Sequence, residues 1–211
     1  MPDDLTLEQA AEIWDEFTER FVLLSPTVRF AAAQSPEELE AVYRARYNEV
    51  IRQGWADPEA LPDGLERDEY DDQAFHMIGW EDKRMVIVAR LVFPSPDRPL
   101  PTEAAYDLTI APHGRVVDTG RAVLLRPDRS DSQHKLFLGL MGFAWQEMRG
   151  RGFYHVCAAM TGSMLRLYRW MGIHWTVLGE ARPYWGEQRF PCQYDLVKTV
   201  QAFLPHRERY F

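Results

Sequence analysis

Apolar positions set out most of the elements before any chemistry is considered. Leu7, Ala10, Ala11, Trp14, Phe17 and Phe21 recur every three to four residues, which predicts an amphipathic helix over residues 6–23. Ser25-Pro26 ends it, and Val28-Arg29-Phe30 opens a short strand. Ser35-Pro36-Glu37-Glu38 is a helix start, with a serine cap, a first-turn proline and carboxylates at the positive end of the dipole. That helix runs to about Arg52 and stops at Gly54. Residues 55–72 are dense in carboxylates and broken by Pro58, Pro62 and Gly64, so they read as a loop. Strands at 74–80 and 84–92, joined through Glu81-Asp82-Lys83, make a hairpin. A proline-rich stretch from Pro94 to Pro101 precedes a strand through Val116 to Leu125. An apolar helix follows over 132–149, a buried strand over 153–159 and a helix over Ser163–Met171, ended by Gly172. Trp175–Leu178 and Gln193–Val197 read as the last strands. The order is mixed α/β, mostly antiparallel early, with one βαβ-like step late.

Bulk composition narrows the class. At 211 residues with 46% hydrophobic content, the chain reads as one large globular domain, with residues 1–25 as an N-terminal helical extension to a domain over 26–211. No apolar run approaches the ~20 residues a bilayer span needs. The acidic start and the two strand-embedded cysteines, Cys157 and Cys192, fit a reduced, cytoplasmic protein. The six histidines show no metal-ligand spacing, so no metal is expected.

Charge is segregated. Residues 1–114 hold 24 acidic and 10 basic side chains, whereas residues 115–169 hold 4 and 9. No basic stripe interleaved with exposed aromatics suggests nucleic acid. Within the acidic half lies the box Glu66-Arg67-Asp68-Glu69-Tyr70-Asp71; behind it, Arg90 closes the run Met85–Ala89 and Arg121 closes Asp118-Thr119-Gly120. Charges at the ends of buried strands are costly unless paired. The box and the two arginines are natural partners, either to fix the shape or to hold a charged substrate.

An ordered set of residues carries a more specific signal. Arg46, Gly54-Trp55, the E-x-D-x-x-D pattern of Glu66, Asp68 and Asp71, then Arg90, then Asp118-Thr119-Gly120-Arg121, precede a late helix ending Trp170-Met171-Gly172-Ile173. This order resembles the acyl-homoserine-lactone synthases, the autoinducer synthases of quorum sensing, within the GNAT N-acyltransferase superfamily. The resemblance covers roughly residues 40–180. It implies the GNAT fold, a central mixed and mostly antiparallel sheet flanked by helices. It also implies transfer of an acyl group from acyl carrier protein, or from acyl-CoA, to the amine of S-adenosylmethionine. Both would be substrates, with no resident cofactor. Asp118 stands where the family has Glu, Gly120 where it has Ser or Thr, and Val50 where a Phe would align. Related GNAT enzymes acylate free amino acids, so that acceptor is the alternative, and an inactive binding module is a third.

The chemistry needs a neutral amine, a stabilised oxyanion and a protonated leaving thiol. The resemblance places Asp118 mid-strand beside the thioester, as the proton acceptor or, otherwise, as a structural partner of Arg121. Arg46, Trp55, Glu66, Asp68, Asp71, Arg90 and Arg121 would shape or contact the acceptor pocket, with Trp55 able to stack on adenine or a sulfonium. The acyl chain would lie among residues of the 136–148 helix and the 153–159 strand, with Met141, Phe143, Trp145 and Met164 as pocket candidates. The turn Arg126–Ser132 lacks glycine, unlike a pyrophosphate-binding loop. An acidic carrier protein would meet Arg126, Arg129, Lys135, Arg149 and Arg151 instead.

Overall fold

The computed structural model describes residues 5–125 and 131–209. Among these, the strands are β1 (Val28–Ala32), β2 (Phe75–Glu81), β3 (Arg84–Val92), β4 (Val116–Leu124), β5 (His155–Thr161), β6 (Trp175–Val177), β7 (Arg182–Tyr184) and β8 (Glu187–Tyr194). They form one sheet in the order β1-β2-β3-β4-β5-β8-β6, with β7 pairing to β8. The helices are α1 (Leu7–Leu23), α2 (Pro36–Arg52), α3 (Pro101–Tyr106), α4 (Asp131–Gly150), α5 (Gly162–Trp170) and α6 (Leu196–Phe203). Every pairing is antiparallel except β4 with β5. This is the mixed, mostly antiparallel sheet that the resemblance implied.

Local chemistry explains the element ends. Thr6 and Ser35 each cap their helix reciprocally, with Gln9 and Glu38 at the third helical position closing the capping boxes. The N-terminal helix is part of the core: Trp14, Phe17 and Phe21 are fully buried in one cluster with Leu138, Trp145 and Phe203. Helices α1 and α4 cross at Gly142, where a Cβ would sit 2.5 Å from the Thr18 carbonyl oxygen. One expectation fails at the C-terminal end. The strand expected over Gln193–Val197 stops at Tyr194, because Asp195 accepts a hydrogen bond from the Lys198 N–H and starts α6. Leu196, Thr199, Val200 and Phe203 are buried at helical spacing, and that period outweighs the short apolar run. Helix α3 and strand β7 are also additional to the expected elements.

The acidic box closes a ring of ion pairs. Arg46 of α2 donates Nε to Glu66 and holds Asp71 with both terminal nitrogens, at 2.8 and 3.0 Å. Arg90 of β3 bridges Asp71 at 2.7 Å and Asp68 at 2.6 Å. Arg121 of β4 bridges Asp68 at 2.9 Å and Glu66 at 3.1 Å. Each of the three arginines therefore serves two carboxylates, and each carboxylate serves two arginines. The ring lies out of water, with Arg46 only 1% and Arg90 2% exposed. Burial alone would raise the Asp71 carboxyl pKa, but Arg46 and Arg90 overcome it and hold it well below the usual range. Removing one member strands buried charge on the others. Arg90→Ala is expected to destabilise the fold by about 3–5 kcal/mol. Chemical denaturation would measure this, and an unchanged midpoint would remove the ring from the account of stability.

Candidate active site

The strands β4 and β5 pair only over Val116–Asp118 and His155–Cys157, then diverge. Beyond this fork, the facing edges of both strands are free of each other, so their N–H and C=O groups can meet an extended ligand. On the other side of β4, the register with β3 shifts between Val88 and Arg90, and Arg121 adopts a left-handed backbone with φ of 56°. A non-glycine residue there costs roughly 1–2 kcal/mol. The irregularity re-aims Arg121 into the ring and the adjoining cavity.

Asp118 sits at the fork itself, the last residue of β4 paired to β5. It is buried, and its Oδ2 accepts a hydrogen bond of 2.7 Å from the Thr102 N–H at the start of α3. Burial pushes its carboxyl up to about 6, against the Thr102 hydrogen bond and the more distant Arg90. Arg121 does not pair with it; that arginine is taken by Glu66 and Asp68. Asp118 is therefore not the ion-pair partner of Arg121 that the sequence allowed. A carboxyl poised one unit below neutrality suits proton acceptance from an amine. Cys157, opposite it, is raised well above the usual thiol range by burial and by Asp118, so it is not a nucleophile.

A cavity of about 290 Å³ opens at Asp118, lined by Trp55, Arg90, Arg121, Tyr184, Trp185 and Arg189 among others. Strands β7 and β8 roof it. Their two-residue turn, Trp185-Gly186, has φ of 49° and 80°, the backbone of a tight hairpin turn. A Cβ on Gly186 would lie 2.1 Å from Trp55 Cγ, so the turn presses directly on that ring. Trp185 lies 5.1 Å from Trp55 between centroids, with Arg121 stacked 4.2 Å above it.

Of the acceptor-site candidates, Trp55, Arg90 and Arg121 line this cavity, whereas Arg46, Glu66, Asp68 and Asp71 stand behind it as the rest of the ring. Arg189 is a pocket residue that sequence reasoning missed. Its strand was expected only from Gln193 onward, and a single arginine beside a proline-broken segment gave no signal. Buried to 7% exposure, it donates Nε to the Tyr184 carbonyl at 3.1 Å and reaches Glu187 only at 3.5 Å.

A second, apolar cavity of about 90 Å³ runs between the sheet and α4. It shares Thr119, Ala122 and Tyr168 with the first, so the two meet at the fork. Of the residues named for the acyl chain, Met141 and Trp145 line it, together with Leu140, Ala144, Met148 and Val156. Phe143 does not; it is turned to Phe30 and Phe75, at ring separations of 6.2 Å each. Met164 lines the polar cavity instead.

Among the described residues, the members of the expected carrier surface do not form one patch. Arg126 and Arg129 lie outside the described residues. Lys135 is exposed near the start of α4, about 21 Å along the helix from Arg149. Arg149 is taken by Asp15 at 3.0 Å. Arg151 pairs with Glu147 and packs on Phe75 and Phe93. Among the described residues, no group of three or more His, Cys, Asp or Glu could hold a metal ion. No helix among them is long and apolar enough to cross a membrane.

No family model and no curated protein matches the sequence. Solved structures do. The CoA-dependent acyl-homoserine lactone synthase BjaI, solved with S-adenosylmethionine and isopentyl-CoA, superposes with a TM-score of 0.65 at 20% identity over 85% of this chain and 88% of its own. The synthase LasI gives 0.63 at 15% identity over 84% and 94%. FeeM, an N-acyl amino acid synthase from uncultured soil microbes, gives 0.62 at 14% identity over 85% and 97%. The sheet order, the fork between β4 and β5 and these likenesses together show that the chain has the GNAT N-acyltransferase fold, in the form shared by autoinducer synthases and an N-acyl amino acid synthase.

Proposed function

We propose that the chain is an N-acyltransferase that moves an acyl group from a thioester to the amine of an amino-acid-like acceptor. The observation that carries this reading is the position of Asp118. A buried carboxyl with a raised pKa stands where an apolar cavity meets a charged, aromatic one. The acyl chain occupies the apolar arm, the acceptor occupies the polar arm, and the thioester carbonyl lies at the junction. Asp118 takes a proton from the acceptor ammonium. The freed amine attacks the carbonyl carbon, and the oxyanion meets N–H groups on the open edge of β4. Collapse breaks the C–S bond; Asp118 gives the first proton to the thiolate, then takes the second from the amide nitrogen and releases it to water, so the overall reaction yields the amide, the thiol and one proton.

The ordered residue set favours S-adenosylmethionine as acceptor. In that case the acceptor carboxylate, once the amide has formed, displaces methylthioadenosine and closes the lactone. The donor is acyl carrier protein or acyl-CoA, and a quorum-sensing role follows from the product. One observation favours a free amino acid instead. The ring carries three arginines against three carboxylates, so it offers no net negative wall to a sulfonium. Trp55, the expected stacking residue, is already engaged by Gly186, Trp185 and Arg189.

Product identification decides between them. The protein is incubated with mixed acyl-carrier and acyl-CoA donors, and with S-adenosylmethionine or an amino-acid pool. Methylthioadenosine release supports the first acceptor and acyl-amino acids the second; no product with any pair would overturn the enzyme reading. At saturating donor, kcat/KM for the acceptor is expected to rise with pH through a midpoint near 6, as Asp118 ionises. A profile flat from pH 5 to 8 would remove Asp118 as the base. Asp118→Asn is expected to lower turnover at least tenfold without loss of stability. The carboxyl pKa is raised on folding to about 6, so the unfolded chain ionises first and stability falls between about pH 4 and pH 6, leaving a penalty of roughly 3 kcal/mol at neutral pH. Asparagine removes that penalty, so the melting temperature at pH 7.5 should be equal or higher; an active variant would exclude the role.

A further inference from the structure

We infer that Arg189 is the anchor for a free carboxylate on the acceptor, which restricts the site to amines that carry one and excludes simple amines and polyamines. This rests on the acyl-transfer reading and adds to it the group by which the acceptor is recognised. Charge pairing sets Arg189 apart from the other arginines of the site. Three other arginines, Arg46, Arg90 and Arg121, are saturated by the ring, each bonded to two carboxylates. Arg189 differs. It is as buried as a core residue and lines the 290 Å³ cavity, yet it has one main-chain carbonyl and a carboxylate at the 3.5 Å limit. That carboxylate, Glu187, is itself 46% exposed, so its compensation is weakened by water.

Desolvating a guanidinium without a full partner is costly, and proteins retain such a group where a ligand completes it. A planar fork of donors facing a cavity matches a carboxylate. The surroundings hold the fork still. Trp55 and Trp185 lie 5.1 and 5.7 Å from the guanidinium carbon, and the Arg189 carbonyl accepts the Tyr106 hydroxyl at 2.6 Å. Burial and the neighbouring Arg121 both push the guanidinium pKa down, which is the direction expected where an anion is missing.

Register gives the spacing. Arg189 pairs with Thr161, four residues along β5 from Cys157, which pairs with Asp118. Four residues of strand span roughly 13 Å. The reach of the Arg189 side chain and one amino-acid moiety, amine toward Asp118 and carboxylate toward Arg189, fill that interval. The zwitterion would then be read at both ends, by a base at one and a cation at the other.

Calorimetric binding to the full chain tests this with two matched pairs: S-adenosylmethionine against its decarboxylated form, and methionine against 3-(methylthio)propylamine. The wild-type chain should bind the carboxylate member of at least one pair at least tenfold more tightly. Arg189→Met should reduce that ratio to within about twofold, and Arg189→Lys, which keeps the charge and covers any intolerance of methionine, should retain part of it. Equal affinities within both pairs for the wild type, or a ratio that survives Arg189→Met, would overturn the inference. Acyl transfer followed on the same samples separates the two readings. Binding that depends on Arg189 without transfer sustains the carboxylate site and refutes the acyltransferase.

Discussion

Three arginines and three carboxylates, each bonded to two of the other kind, tie four separate parts of the chain together. Helix α2 supplies Arg46, the 66–71 loop supplies the acids, and β3 and β4 supply Arg90 and Arg121. A buried pair on its own contributes little net stability, because desolvation offsets attraction. A closed ring differs in specificity: no member can move without stranding two others, so it fixes the loop against the sheet. The irregular β4 backbone at Arg121 depends on it, since the left-handed conformation persists where surrounding contacts determine it. Arg90 and Arg121 present this ring to the 290 Å³ cavity as part of its wall.

Electrical neutrality of the ring moves the recognition problem elsewhere. With the ring's acids consumed, the buried charged groups that line the cavity outside the ring are Asp118 and Arg189, from β4 and β8, with the half-exposed Glu187 beside Arg189. Both are held in environments that oppose their ionised forms, and both shifts come first from burial. Such a cost is what the proposed roles of a base and an anion receptor would explain. The ring, fully paired, stabilises shape; the two imperfectly compensated groups remain available for chemistry.

Much of this was legible in the sequence, for identifiable reasons. Helices α1 and α2 announced themselves through caps and three-to-four spacing, and the β2–β3 hairpin through its apolar runs. The acids and the arginines could be matched in order because Arg90 closes an apolar run that has to bury it, and the carboxylates cluster in one loop ahead of it, in the order that carries the resemblance. What stayed hidden was set by tertiary contact. Phe143 and Met141 are two residues apart on one apolar helix, and only the packing decides which meets the cavity. Arg149 reads as a free cation until α1 places Asp15 against it. Arg189 became visible only once β8 was paired, and α6 was obscured because Leu196-Val197 suits a strand as well as a helix until the Asp195 cap is seen.

The account turns on a carboxyl at the fork that is buried, lightly compensated and ready to accept a proton near neutrality. Its titration can be read directly from the carboxyl carbon resonance of Asp118 in isotopically labelled protein, assigned by comparison with the asparagine variant. A midpoint near pH 6 is expected. A midpoint near 4, the value of an ordinary solvated aspartate, would contradict it.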